Sequence, residues 1–287
     1  MSQVDQFESA FRSAIRPVYE PHDTELHQIL TITDLSSEAA ERFEKSIQHY
    51  LNRLNTAASK PRFSRLDEGS YDSTASLLTQ VAALKPNLIV TYRNLNTEDW
   101  RYQNSMGSRL DTLIHQTEIP ILVLPHPKAQ DSEAYSLPKN ERVIVVTDHL
   151  TGDHTLIDYA ATFVEPDGRL ILVHLEDQTT FDRYMDAISK ITTIDTEQAQ
   201  AQIYSQLLKE PRVYISSCRD RLKDSIPSLQ VDEIVEFGEG FDQFRDHIRR
   251  ENANFLVIKG VNHQQPGIHG LADRLINETR YIPVLVV

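Results

Sequence analysis

Residues able to move protons or hold ions gather in the second half of the chain. Asp148, His149, Asp153, His154, His174, Glu176, His263 and His269 all fall just after apolar runs that read as strands. In an open parallel sheet the carboxyl ends of the strands converge on one edge, and ligands bind there. Imidazoles and carboxylates meeting at such an edge could ligate a metal, exchange protons or hold a small ligand. The same residues are also ordinary in polar loops. No spacing matches a zinc signature such as His-Glu-x-x-His, so no metal ligand is assigned. Cys218 sits in YISSCRDRLKD beside Arg219 and Arg221, which would lower an exposed thiol's pKa. No histidine is placed next to it, and a lone cysteine is more often just a small residue on a helix face. Ser216 and Ser217 lie in no nucleophile motif, and the chain has no Gly-x-Ser-x-Gly. No catalytic residue is assigned.

Composition narrows the classes. The chain has 287 residues, enough for two domains with separate cores. Its 29 basic and 42 acidic residues give a net charge of −13, which opposes binding to nucleic acid or anionic lipid. The longest apolar runs, such as Val143–Val146, are too short to cross a bilayer. The first twenty residues carry acids and no apolar segment, unlike a secretory signal. A single cysteine fits a reducing compartment. A cytoplasmic protein without nucleic-acid or membrane partners is expected.

The elements that must position these residues form a repeat. Residues 87–124 (NLIVTYRNLN…MGSRLDTLIHQTEIPILVL) match 254–287 (NFLVIKGVNH…HGLADRLINETRYIPVLVV) as strand, polar loop, amphipathic helix, Ile-Pro and strand. In the second half, strands are expected at Arg142–Asp148, Leu170–Leu175, Glu233–Phe237, Phe255–Ile258 and Val284–Val287. Helices are expected after Thr151 or Asp153, over residues 180–224 with a break near Pro211, over Phe241–Glu251 and around Ala272–Glu278. In the first half, Phe7, Phe11 and Ile15 suggest a helix, Ile29–Thr33 a strand, and Ala39–Leu54 and Leu77–Leu84 helices. Alternating elements imply a parallel sheet covered on both faces. Domains are drawn at 1–126 and 141–287, with a polar, proline-bearing linker at 127–140. Two alignments of the halves remain. Pairing Ile29–Thr33 with Leu170–His174 leaves no room for a first strand before Met1. Pairing ILTITD (29–34) with IVVTD (144–148) removes a strand and a helix later instead. The first is preferred, since the N-terminal helix then has a counterpart at 154–165.

Taken in order, VIVVTD (143–148), LILVH (170–174), NFLVIKG (254–260) and IPVLVV (282–287), with NLIV (87–90), Gly107-Ser108 and IPILVL (119–124), resemble the universal stress protein family in its tandem form. The resemblance implies an α/β fold of two adenine-nucleotide alpha-hydrolase-like domains. Each would be a mostly parallel five-stranded sheet with helices on both faces, the first lacking its first strand. It also implies self-association through the terminal strands 121–124 and 284–287, within the chain as a pseudo-dimer or between chains as a homodimer. Many members bind ATP with Mg²⁺ through an Asp after the first strand and a glycine-rich loop, where backbone amides and a helix N-terminus meet phosphate. On this chain those positions are Thr147, Asp148, Val173, Gly260, Asn262 and Gly270, with Gly107 and Ser108 in the first half. The pattern is broken. Tyr92, Arg93 and Asn94 replace the first-half glycines, Trp100 and Tyr102 add bulk, Asn262 or His263 replaces a glycine, and Leu271 replaces a hydroxyl residue. What the resemblance implies is a stress-associated regulatory protein that acts through an unidentified protein partner without turnover, its nucleotide site degenerate. The alternatives are slow ATP hydrolysis in the second half, or a sensor of metal or small ligand at the histidine-rich edge.

Overall fold

The computed structural model describes residues 17–24, 26–54, 61–67, 69–97, 105–127, 137–147, 150–260 and 269–287. The helix expected around Phe7–Ile15 lies outside them. Nine strands form one sheet: β1 Gln28–Ile32, β2 Arg62–Leu66, β3 Leu88–Tyr92, β4 Ile121–Leu124, β5 Arg142–Thr147, β6 Arg169–Asp177, β7 Gln230–Gly238, β8 Phe255–Ile258 and β9 Val284–Val286. Their order is β2-β1-β3-β4-β9-β8-β5-β6-β7, parallel throughout except at β4–β9. Strands β3, β4, β8 and β9 are buried at every residue, as continuous apolar runs require when helices cover both faces. The helices are α1 Ser37–Leu51, α2 Thr74–Leu84, α3 Ser108–Gln116, α4 His154–Phe163, α5 Gln178–Ser189, α6 Thr196–Ser225, α7 Phe241–Arg250 and α8 His269–Glu278. The fold is α/β, and no helix among the described residues is long and apolar enough to cross a membrane.

The order β4-β3-β1-β2 repeats β9-β8-β5-β6 about the antiparallel pair Ile121↔Val286, Leu122↔Leu285, Val123↔Val284. The repeat extends to single hydrogen bonds. The Asn87 side-chain oxygen accepts from Gln28 N, and the Asn254 side-chain oxygen accepts from Arg142 N, both at 3.0 Å. Ile89 N donates to Pro120 O at 2.9 Å and Leu256 N donates to Pro283 O at 3.0 Å. Ile29 pairs with Leu88 as Val143 pairs with Phe255. So β1 is the counterpart of β5, not of β6, and Thr33-Asp34 matches Thr147-Asp148. This overturns the preferred alignment and the expectation of a missing first strand. Among the described residues the first half has four strands, with none answering β7. Losing an edge strand moves the exposed rim inward by one position, whereas losing an interior strand would orphan two ladders of backbone groups.

Two further expectations fail for physical reasons. Strand β2 (RFSRL) was not foreseen, because an exposed rim strand needs no apolar run. The helical break falls at residues 190–195, not at Pro211, which lies buried inside α6. Proline removes one helical hydrogen bond, but Tyr214, Ile215, Cys218 and Leu222 pack α6 into the core and hold it continuous. Asp195 caps the helix by accepting from Gln198 N at 3.1 Å, and an Asp-x-x-Gln sequence was the readable sign. The other rim, β7, is covered by side chains: Arg219 Nε donates to Val231 O at 3.0 Å and Arg212 to Val235 O at 3.3 Å. Such cover leaves fewer backbone acceptors for another chain's strand.

The halves are joined beyond the sheet. Tyr19, buried, donates its hydroxyl to Asp158 Oδ1 at 2.6 Å and its amide to Ser217 Oγ at 2.9 Å, so residues 17–24 run over α4 and α6 of the second half. Asn140 accepts from the Tyr50 hydroxyl at 2.8 Å and donates to Phe163 O at 2.7 Å. The last residue of the expected linker is therefore fully buried.

Candidate functional site

In the second half β5 lies between β6 and β8; Thr147 ends β5, the Lys259-Gly260 step follows β8, and Val173 lies within β6 one register step from Thr147. Thr147 lies in register with His174, and Val146 with Val173; Thr147, Val173 and His174 are all buried. Asp148, His149, Asn262 and His263 lie outside the described residues, and Gly270 sits in the first turn of α8. Gly260 is placed by packing. Its amide donates to Val287 O at 2.6 Å, and a Cβ there would stand 3.2 Å from Val286 Cγ1 and Val287 O. That amide is therefore already engaged by the Val287 carbonyl.

Of the histidines expected at this edge, the described pair His154 and His174 do not converge. His174 Nδ1 accepts from Leu150 N at 3.4 Å, which puts the ring proton on Nε2, 2.8 Å from Glu176 Oε1. Nδ1 thus holds the chain after β5, while Nε2 is engaged by Glu176 on its own strand. His154 faces another way: it stacks on Tyr19 with centroids 5.8 Å apart, stands edge-on to Tyr214 at 5.8 Å, and accepts from Glu20 N at 3.3 Å. Asp153 caps α4 through Leu156 N at 3.2 Å and is paired with Lys259. Lys259, for which the sequence carries no motif, places a cation at this edge: it links the carboxyl end of β8 to the amino end of α4. Cys218 is buried, and burial pushes its thiol up to about 12, so the neighbouring arginines do not activate it.

The corresponding position in the first half is filled from within. The Tyr92 hydroxyl donates to Asp34 Oδ1 at 2.5 Å, lies 2.7 Å from Thr33 Oγ1 and accepts from Asp34 N at 3.0 Å. Asp34 Oδ2 accepts from Asn96 N at 2.6 Å. His126 stands edge-on to the Tyr92 ring at 4.8 Å, and burial with the Asp34 charge raises the tyrosine's pKa. Asn94 and Asn96 take positive φ angles of 60° and 59°, the left-handed turn that asparagine tolerates. Gly107 has φ +83°, and a Cβ would stand 2.8 Å from Asn94 Cα, so the chain itself closes the loop around this glycine. Ser108 is exposed and begins α3. Arg93 leaves the site, donating to Asn277 O at 2.9 Å and to Ile276 O at the end of α8. Burial lowers it to about 9, so it remains charged at neutral pH. Trp100 and Tyr102 lie outside the described residues. Tyr92 stands where a glycine is replaced, and it and Asn96 fill the site because Thr33-Asp34 is the step that answers Thr147-Asp148.

No protein-family model and no curated protein matches the chain. Among solved structures, the chain is similar to a universal stress protein from Archaeoglobus fulgidus at 14% identity, covering 91% of this chain and 87% of that one, with a TM-score of 0.44. It is similar to a candidate universal stress protein of Pseudomonas aeruginosa UCBPP-PA14 at 14% identity, covering 96% and 93%, with a TM-score of 0.48. A functionally unknown protein of Pseudomonas aeruginosa PAO1 is similar at 13% identity over 96% and 92%, with a TM-score of 0.46.

Proposed function

We propose that this chain is a regulatory binding protein of the universal stress type that works without turnover and whose first half is blind to nucleotide. One observation carries the reading. At the first-half counterpart of the adenine-contacting aspartate, both carboxylate oxygens of Asp34 are taken by Tyr92 and Asn96. A ligand entering there would have to break two short hydrogen bonds and displace a buried aromatic ring, for contacts that do no more than replace them. The second half differs, which favours a second reading: adenine nucleotide at the ends of β5, β6 and β8. There Lys259 is held by Asp153 beside the start of a helix, an arrangement that a phosphate could enter by taking over the lysine. Asp148, Asn262 and Gly270 would complete such a site with Thr147 and Val173.

Isothermal titration of the whole protein with ATP and Mg²⁺ separates the two. The non-nucleotide reading expects no heat and no co-purified nucleotide. Binding at one site per chain, abolished by Asp148→Ala and weakened at least tenfold by Lys259→Ala, would establish the second reading. Two sites per chain would refute the closure of the first half. A robust turnover of ATP would refute the non-catalytic role.

A further inference from the structure

Away from the strand ends, three donor groups from the two halves meet between α3 and α8. Asp111 and His115 are four residues apart on α3 and so share one face. Asp273 comes from α8, the equivalent helix of the second half. The helices approach because each leads into a central strand, β4 or β9, and those strands pair across the pseudo-twofold. One ligand atom from each of the three residues lies within 4.8 Å of the other two. Asp111 is exposed, and His115 and Asp273 are half-buried, so the site is open to solvent on one side.

The geometry of His115 makes this a mixed nitrogen–oxygen donor set. Its Nδ1 lies 2.7 Å from the main-chain oxygen of Asp111. A carbonyl only accepts, so Nδ1 carries a proton, and in that neutral tautomer Nε2 is the ring nitrogen with a lone pair to offer a metal, on the side that faces Asp273. Nε2 stands 3.7 Å from Asp273 Oδ2, and Nδ1 stands 3.5 Å from Asp111 Oδ1. The first separation is too long for a hydrogen bond. It is close to the roughly 3.3 Å between two ligands of one tetrahedral zinc ion bonded at about 2.0–2.1 Å. A histidine whose other ring nitrogen donates to a backbone carbonyl is the usual orienting arrangement for a metal-bound imidazole. One imidazole with two carboxylates suits zinc, cobalt or nickel rather than magnesium or calcium, which prefer all-oxygen sets.

We infer that Asp111, His115 and Asp273 form a binding site for one divalent transition-metal ion, with water completing the shell, that clips the two halves together through α3 and α8. The site is independent of the nucleotide reading, since it shares no residue with the strand ends.

The test is titration of metal-free protein with Zn²⁺, followed calorimetrically and, with Co²⁺, by visible absorption, together with thermal unfolding with and without Zn²⁺. Wild type is expected to take one equivalent with micromolar affinity, show the intense bands of four-coordinate cobalt, and unfold at a higher temperature with the metal. His115→Gln and Asp273→Asn, both near-isosteric, are expected to weaken binding at least tenfold and abolish the thermal shift, with circular dichroism unchanged. His263→Ala is expected to bind as wild type. Absence of binding by wild type would overturn the inference. So would undiminished binding in His115→Gln and Asp273→Asn, or loss of binding in His263→Ala alone, which would place the ion at the strand edge.

Discussion

Tyr92→Phe isolates the interaction that closes the first half. The substitution keeps the buried ring, its edge contact with His126 and its packing against Phe43, and removes one oxygen. That oxygen serves three partners at 2.5, 2.7 and 3.0 Å: the Asp34 carboxylate, the Thr33 hydroxyl and the Asp34 amide. Thr33 is fully buried, so water does not readily replace what is lost there, whereas Asp34 is only partly buried and keeps its bond from Asn96 N. A hydrogen bond to a charged group contributes roughly 1.5–3 kcal/mol, and leaving buried partners short adds to that. Partial hydration of Asp34 offsets part of the loss, giving a net cost of about 2–3 kcal/mol. In a chain of 287 residues that lowers Tm by roughly 3–5 °C. Urea unfolding at neutral pH should show the midpoint falling with the slope unchanged, because the surface exposed on unfolding is the same. A midpoint shift equivalent to less than about 0.5 kcal/mol, the range of an ordinary surface change, would refute the view that Tyr92 secures this end of the sheet.

Two other outcomes follow from the same structure. Gly107→Ala should destabilise by more than about 1 kcal/mol in the same urea assay, because the position combines a left-handed φ with a Cβ only 2.8 Å from Asn94 Cα. Tyr19, Tyr50, Tyr92 and Tyr214 all have pKa values raised chiefly by burial. A raised folded-state pKa gives stability that is intact below the unfolded value near 10 and is lost as pH climbs above it. Ultraviolet titration should therefore find these four phenols silent near pH 10 and releasing their protons only with unfolding, whereas simple titration of all eleven tyrosines at pH 10 would contradict the burial.

Much of the frame was readable without coordinates. Buried parallel strands must be apolar on both faces, so Val143–Val146, Leu170–Leu175 and Phe255–Ile258 announce themselves. Amphipathic stripes mark the helices, as with Phe43, Ile47 and Tyr50 on α1. Asn87 and Asn254, each followed by an apolar strand and later by Ile-Pro, mark the repeat, and the structure shows each asparagine holding the start of a neighbouring strand.

What the sequence determined by itself was the class of elements and their duplication, because periodicity and apolar runs are local properties. Tertiary structure alone decided which strand of one half answers which of the other. That depends on sheet order, and a rim strand such as Arg62–Leu66 leaves almost no apolar trace. Tertiary structure also decided the fate of the candidate sites. His154 follows β5 and His174 lies within the neighbouring β6, yet they take different partners, while Asp273 meets Asp111 and His115 from the other half of the chain. Side-chain direction and cross-sheet proximity belong to the packed state, and no spacing along the chain encodes them.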